Sequence, residues 1–273
     1  MKKTVLAAIQ MASGPSVSAN LIEAGRLIEE AARQGAGLIA LPENFALMGL
    51  HETDKLESAE TDGEGPIQDF LASAARKAKV HLVGGTIPIR AEAGRVRAAS
   101  LVFDGSGKRL GRYDKIHLFD VKVPGTDESY EESATIAPGD EPVVIETPYG
   151  RLGLSVCYDL RFPELYRRMS RMGVDILVAP SAFTARTGAA HWEVLIRARA
   201  IENLCYVIAP NQGGFHKNGR ETYGHTQIVD PWGSVLARLP QGAGVVTAPY
   251  DPARLRKVRS AFPALEHTRL LTA

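Results

Sequence analysis

The chain reads as an α/β protein built on a largely buried sheet, and three observations predict it. Apolar runs rich in Val, Ile and Leu recur between helix-length segments, the pattern of a sheet covered by helices. One of those segments, 18–34, opens on a serine suited to capping and carries Leu21, Ala24, Leu27, Ile28 and Ala31 along one side, so it covers one sheet face. Residues 35–45 (GAGLIALPENF) are echoed by 173–183 (GVDILVAPSAF). In both copies a helix ends at glycine, a buried strand follows, and proline stops it before a polar residue and Phe. The echo implies two related α/β halves facing each other, with Glu43 and Ser181 at corresponding ends.

The first strand is expected over 4–11. Lys2 and Lys3 ahead of apolar residues imitate a signal peptide, but Gln10 cuts the run short of the roughly 7–15 apolar residues such a segment needs. Strands follow over 37–41, 81–87 and 98–103, with a helix over 67–79. Asp104-Gly105-Ser106-Gly107 is a hairpin turn signal, and its glycines do not fit a dinucleotide fingerprint. The stretch 121–139, rich in Gly, Pro, Ser, Asp and Glu, is expected to form a long loop over the site. Strands over 152–157, 175–179, 206–210, 225–229 and 234–238 then alternate with helices over 164–172 and 190–203. A last helix, 252–260, places Arg254, Arg256, Lys257 and Arg259 on a solvated face.

With 273 residues and 45% hydrophobic content the chain can bury a large core, and one domain over 1–273 is expected. The formal charge is +1, with 32 basic and 31 acidic residues intermixed, so no charge footprint argues for nucleic acid or an anionic membrane. No segment approaches the ~20 apolar residues of a membrane span. Two cysteines far apart in sequence make no disulfide framework, which favours a reducing, cytoplasmic setting. A small-molecule substrate is the expected partner.

Cys157 is the most informative residue. It ends the run Leu152-Gly153-Leu154-Ser155-Val156 and precedes Tyr158-Asp159-Leu160-Arg161-Phe162-Pro163-Glu164, which puts a nucleophile at a strand's carboxyl end, where open α/β sheets keep their sites. A buried cysteine is otherwise most often inert packing, the reading that suits Cys205. Two further segments set Cys157 apart: Leu41-Pro42-Glu43-Asn44-Phe45, just past a buried strand, and Arg112-Tyr113-Asp114-Lys115-Ile116-His117-Leu118-Phe119, a lysine in a stretch too apolar for a solvated loop. Gly153-x-Ser155-x-Cys157 lacks the closing glycine of a nucleophile elbow. Cys157, His191, Cys205 and His225 have no zinc-ligand spacing, and no metal or cofactor is expected.

Taken in order, the Pro-Glu, Tyr-x-Lys-x-His-Leu and Cys-Tyr-Asp-x-Arg-Phe-Pro-Glu segments resemble the nitrilase superfamily of carbon-nitrogen hydrolases, over nearly the whole chain. The resemblance implies a four-layer α-β-β-α sandwich. It also implies catalysis by Glu43 as general base, Lys115 with the backbone N–H of Tyr158 holding the oxyanion, and Cys157 as nucleophile through a thioester. In Tyr130-Glu131-Glu132-Ser133-Ala134-Thr135 the family's second glutamate falls on Glu132, orienting Lys115, with Glu131 the competing assignment. Residues 188–202 and 223–233 look like the Nit subgroup, which includes amidases of deaminated glutathione and ω-amidases of α-ketoglutaramate and α-ketosuccinamate. The short 213–223 segment is nearer the former, which implies a metabolite-repair amidase acting on an α-keto carboxylate. Arg161, Thr184, Arg186 and Thr187 are the candidates to bind that carboxylate, with an ion pair to Glu164 the alternative use of Arg161. A homodimer with the C-terminal segment in its interface is implied as well. A non-catalytic binding protein on the same fold and acyl transfer to an amine remain as alternatives.

Overall fold

The computed structural model describes residues 4–125 and 127–270; Lys2 and Lys3 of the signal-like start lie outside them. The first half runs β1 (Thr4–Gln10), α1 (Val17–Arg33), β2 (Ala36–Ala40), α2 (Asp54–Glu57), α3 (Pro66–Ala78), β3 (His81–Val83), β4 (Ile87–Arg90), β5 (Val96–Phe103) and β6 (Arg109–Asp114). A small hairpin follows, β7 (Asp120–Lys122) with β8 (Ser129–Glu131). The second half runs β9 (Val143–Thr147), β10 (Gly150–Leu154), α4 (Pro163–Arg171), β11 (Ile176–Val178), α5 (Ala185–Asn203), β12 (Tyr206–Ala209), β13 (Gly213–Phe215), β14 (Glu221–Tyr223), β15 (Thr226–Val229) and β16 (Val235–Leu239). The chain then returns to the first half as β17 (Gly244–Tyr250) before α6 (Pro252–Ala261).

Two large sheets result among the described residues, beside the two-stranded pairs β7-β8 and β13-β14. A seven-stranded sheet has the order β17-β1-β2-β3-β5-β4 with β6 on β5, and a six-stranded sheet has the order β16-β15-β12-β11-β10-β9. Each centres on three parallel strands, β1-β2-β3 and β10-β11-β12, flanked by antiparallel ones. Strand alternation sorts the side chains by layer. Ala7, Ile9, Ile39 and Leu82 pack outward with Leu27, Ile28 and Leu71 of α1 and α3. Leu6, Ala8, Leu38 and Ala40 share the inner core with Leu152, Leu154, Ile176 and Val178 of the other sheet, and that core continues into Tyr166 of α4 and Trp192 of α5. Each fully buried Leu or Ile contributes about 1.5–3 kcal/mol. The layering is the α-β-β-α sandwich expected.

The echo of residues 35–45 in 173–183 is topological: β2 and β11 are the middle parallel strands of their sheets, and Gly35 and Gly173 ahead of them take φ of +88° and +80°. A second echo is visible only in three dimensions. Asp104 Oδ1 accepts from the N–H groups of Ser106 and Lys108, and Asp230 Oδ1 from those of Trp232 and Ser234, in the β5–β6 and β15–β16 turns.

Several expectations need correction. The strand over 81–87 breaks at Gly84-Gly85, because Gly85 takes φ +54° and a Cβ there would lie 2.0 Å from the Pro42 carbonyl oxygen. The 152–157 strand ends at Leu154, and Cys157 begins a short 3-10 turn to Arg161. Helix α1 is capped by Ser16, whose hydroxyl accepts from the Ala19 N–H, and not by Ser18. Helix α5 starts at Ala185, ahead of 190, since Thr184 caps it and Gly188 is a helical position packed on Tyr223, where no Cβ fits. The loop over 121–139 contains the β7–β8 hairpin. Of the cations expected in solvent on α6, Arg254 pairs with buried Asp230, and Arg259 pairs with Asp175 and donates to the Leu204 and Val174 carbonyls.

Candidate active site

Three chain segments converge beyond the carboxyl ends of the parallel strands. Glu43 follows β2, Lys115 follows β6, and Cys157 follows β10. Each is held by backbone constraints. The Glu43 carbonyl accepts from Gln212 Nε2 at 3.0 Å, and the next residue, Asn44, takes φ +57° with its N–H on Thr86 Oγ1 at 2.9 Å. Cys157 takes φ +47°, a conformation costing a non-glycine residue about 1–3 kcal/mol, and its N–H donates to the Pro180 carbonyl at 2.9 Å. Such strain persists only where neighbours over-determine it.

The neighbour responsible is Asp159, fully buried, which the sequence did not single out. Its Oδ2 accepts from the Val156 N–H at 2.8 Å and from Tyr113 Oη at 2.7 Å. Its Oδ1 accepts from the His117 N–H at 3.0 Å and lies 2.7 Å from His117 Nδ1. One carboxylate thus ties the turn that carries Cys157 to residues on both sides of Lys115. In the sequence Asp159 stands only as part of Cys157-Tyr158-Asp159, and no sequence distance reveals its pairing with Tyr113 and His117.

Lys115 is 1% exposed and sits between two carboxylates: Nζ lies 2.8 Å from Glu43 Oε1, and 3.0 and 2.8 Å from the two oxygens of Glu132. Burial alone would lower its pKa. The charges of Glu132 and then Glu43 outweigh burial and hold it well above the ordinary lysine value, so the side chain stays an ammonium. Glu132 is lowered despite burial, by Lys115 and by the Phe119 N–H that donates to it at 2.8 Å. Glu131, the competing assignment, is exposed on β8. The Cys157 thiol is pushed far up, first by burial and then by the Glu43 charge, with Lys115 and the Ala182 N–H pulling the other way. The resting sulfur is therefore protonated, with a carboxylate beside it to take the proton.

These groups face a small cavity of about 290 Å³ counting space open to solvent, also lined by Phe119, Tyr158, Arg161, Phe183, Thr184, Thr187 and Arg220. Tyr158 packs edge-on against Phe119 and Phe162. Arg161 lies over the Tyr158 and Phe183 rings and meets His191 Nδ1 at 3.2 Å, instead of pairing with Glu164. Thr184 Oγ1 accepts from the Thr187 N–H at 3.3 Å, setting both hydroxyls at the α5 end that borders the cavity. Arg186 is not brought in: the first turn of α5 points it outward, exposed, beside Gly125. Arg220, on the β13–β14 turn, was missed because that turn reads as an ordinary polar loop. Cys205 is fully buried in the core, away from this cavity. Among the described residues no cluster of His, Cys, Asp and Glu is arranged to hold a metal ion.

A paired-sheet α/β sandwich with a thiol, a carboxylate and an ammonium in one cavity at its strand ends defines a class of protein equipped for covalent acyl chemistry. The chain belongs to the carbon-nitrogen hydrolase family, whose pattern matches residues 5–260. It is 48% identical over 271 residues to a deaminated glutathione amidase of Synechocystis, covering 98% of each chain. It is 38% identical over 269 residues to omega-amidase NIT2 of Xenopus tropicalis, covering 98% of this chain and 96% of that one. The crystal structure of the C. elegans NitFhit protein superposes with a TM-score of 0.90 at 36% identity, over 98% of this chain and 65% of that longer one.

Proposed function

We propose that this amidohydrolase cleaves deaminated glutathione to α-ketoglutarate and cysteinylglycine, through an acyl-enzyme on Cys157. The observation that carries the reading is the position of Lys115, clamped at 2.8 Å by both Glu43 and Glu132 at the wall of the cavity that holds Cys157. Glu43 takes the thiol proton as the sulfur attacks the amide carbon. The negative charge that forms on oxygen faces the Lys115 ammonium and the Tyr158 N–H. Collapse breaks the C–N bond, Glu43 hands its proton to the departing nitrogen, and the acyl group remains as a thioester. Glu43 then takes a proton from water as water attacks the thioester. The C–S bond breaks, the sulfur recovers that proton, and the acid leaves. Glu132 does no proton transfer; it keeps Lys115 charged and aimed. Arg161, Thr184 and Thr187 receive the keto-acid end of the acyl group, with Phe183 and Tyr158 as flanking rings.

The amidase relatives support the reaction, and the 48% match favours deaminated glutathione over α-ketoglutaramate as substrate. Free, buried Cys157 and Cys205 suit a reducing cytoplasm, and no helix among the described residues is long and apolar enough to cross a membrane. A second copy of the chain is the proposed partner: exposed Trp232 of the β15–β16 turn packs on exposed Phe262 at the end of α6, and exposed Ile201 of α5 adjoins Gly233 next to Trp232. Sedimentation of the wild type against Trp232→Glu tests this, and a monomeric wild type overturns it. The substrate assignment is tested by α-ketoglutarate release from deaminated glutathione and from α-ketoglutaramate. A kcat/KM well above for the first is expected; the reverse order makes the protein an ω-amidase, and turnover of neither overturns the assignment.

A further inference from the structure

A second cleft adjoins the catalytic cavity and shares Phe119, Glu132 and Arg220 with it; it measures about 780 Å³ including space open to solvent. Its near wall is the segment directly after Glu43, including Asn44, Met48 and His51. Its far wall carries Tyr130 and the β13–β14 turn, and that turn is pinned across the cleft by Asn218 Nδ2 on the Gly49 carbonyl at 2.8 Å. Glu43 delivers the proton to the departing nitrogen, so the amine portion of a substrate must leave on the Glu43 side. Arg161, Thr184 and Thr187 line the cavity from the 3-10 turn that begins at Cys157 and from the start of α5 instead.

Arg220 stands at the junction of the two clefts. Its guanidinium lies 5.0 Å from the centre of the Tyr130 ring and one Nη donates to the Ala182 carbonyl, while its Nε is buried with no hydrogen-bond partner. Among the described residues no carboxylate pairs with it: of the three that line the same cleft, Glu52 and Glu132 pair with Lys55 and Lys115, and Glu131 is exposed on β8. A half-buried guanidinium, stacked, aimed and lacking an anion, is a carboxylate receptor in waiting. We propose that the outer cleft is the subsite for the amine portion of an N-substituted amide, and that Arg220 selects amine portions bearing a carboxylate. This rests on the amidase reading above and assigns the part of the substrate that reading leaves unplaced.

The test uses three substrates with the same acyl group: deaminated glutathione, the same compound with its terminal carboxylate converted to carboxamide, and α-ketoglutaramate, which has no amine substituent. The wild type should prefer the free acid to the carboxamide by roughly 10- to 100-fold in kcat/KM, the scale of a charge-assisted hydrogen bond. Arg220→Ala should bring that ratio to within about 3-fold of unity, with a loss on the free acid at least about 10-fold larger than any loss on α-ketoglutaramate, and Arg220→Lys should keep part of the preference. Matched melting curves establish that the variants are folded. An equal loss on all three substrates, or a wild type indifferent to the carboxylate, overturns the inference while the amidase reading stands. Failure of the wild type to turn over any of the three overturns both.

Discussion

The half that begins at β1 and the half that begins at β9 share three parallel strands, a glycine that ends the first helix and an aspartate-closed hairpin, yet they put different chemistry at equivalent strand ends. Past β2, Glu43 reaches across to Lys115 at 2.8 Å. Past β11, Ser181 only turns back to the Ala179 carbonyl at 2.9 Å. Past β10 comes Cys157 with its left-handed backbone; past β1 comes Ser13, whose N–H and hydroxyl bond Gln212 and the Phe45 carbonyl. The paired sheets supply converging ends, and a few residues decide which ends react and which hold the frame. Lys115 and Glu132 have no counterpart in the repeat and come from the chain that links the halves.

That contrast is broken most severely at Cys157. Cys157→Ala should lower kcat/KM by about 10⁴-fold or more, as loss of a nucleophile does, whereas Cys205→Ala should leave turnover within about 3-fold and instead lower the melting temperature through a core cavity. Both thiols are buried and raised for the same first reason, so unequal effects would isolate the Glu43 and Lys115 surroundings as the cause. Steady-state kinetics on folded variants reads this directly, and equal effects would sink the distinction.

Glu43→Gln against Ser181→Ala compares the equivalent ends themselves. The first should cost about 10²–10⁴-fold, the range for general acid–base catalysis, and the second less than about 3-fold with about 1 kcal/mol of stability. The Glu43 charge raises the Cys157 pKa, so removing it favours the thiolate, and the alkylation-rate midpoint for Cys157 should move to lower pH even as turnover is lost. A midpoint moved upward, measured by iodoacetamide labelling across pH, would contradict the placement of that charge.

Lys115→Met should cost about 10²–10³-fold in kcat, the scale of a lost oxyanion donor. It should also destabilise the fold by about 3–5 kcal/mol, because Glu43 and Glu132 lose a shared buried counter-charge. Denaturant titration beside kinetics separates the two effects, and stability unchanged from wild type would show that the triangle is not held as described. Asp159→Asn should act more mildly, lowering kcat about 10-fold and stability by about 2–3 kcal/mol, since it weakens four contacts made to one carboxylate without touching the cavity. Undiminished kcat would mean Asp159 stabilises the fold without positioning the turn.

The parallel centre of each sheet was legible because β2, β11 and β12 are continuous apolar runs; Glu43, Lys115 and Cys157, which the structure brings together, stood out by their motifs, whereas Glu132 was placed only by resemblance to the family pattern. The rest depends on pairing that no local pattern records. Strand β9 is only half buried and alternates weakly, and β17 earns its place by pairing with β1 from the far end of the chain. The helix expected from 190 begins at Ala185, and its first turn carries Arg186 out to the surface. Asp159 and Arg220 act through partners on other segments, so their roles appear only once those segments have met.

The central claim is a covalent acyl-enzyme on Cys157, and mass analysis of enzyme quenched in acid during turnover of deaminated glutathione tests it most directly. The account predicts a mass increase equal to the α-ketoglutaryl group, located on the peptide containing Cys157 and removed by hydroxylamine. Steady turnover with no acyl group on Cys157, persisting undiminished in Cys157→Ala, would contradict it.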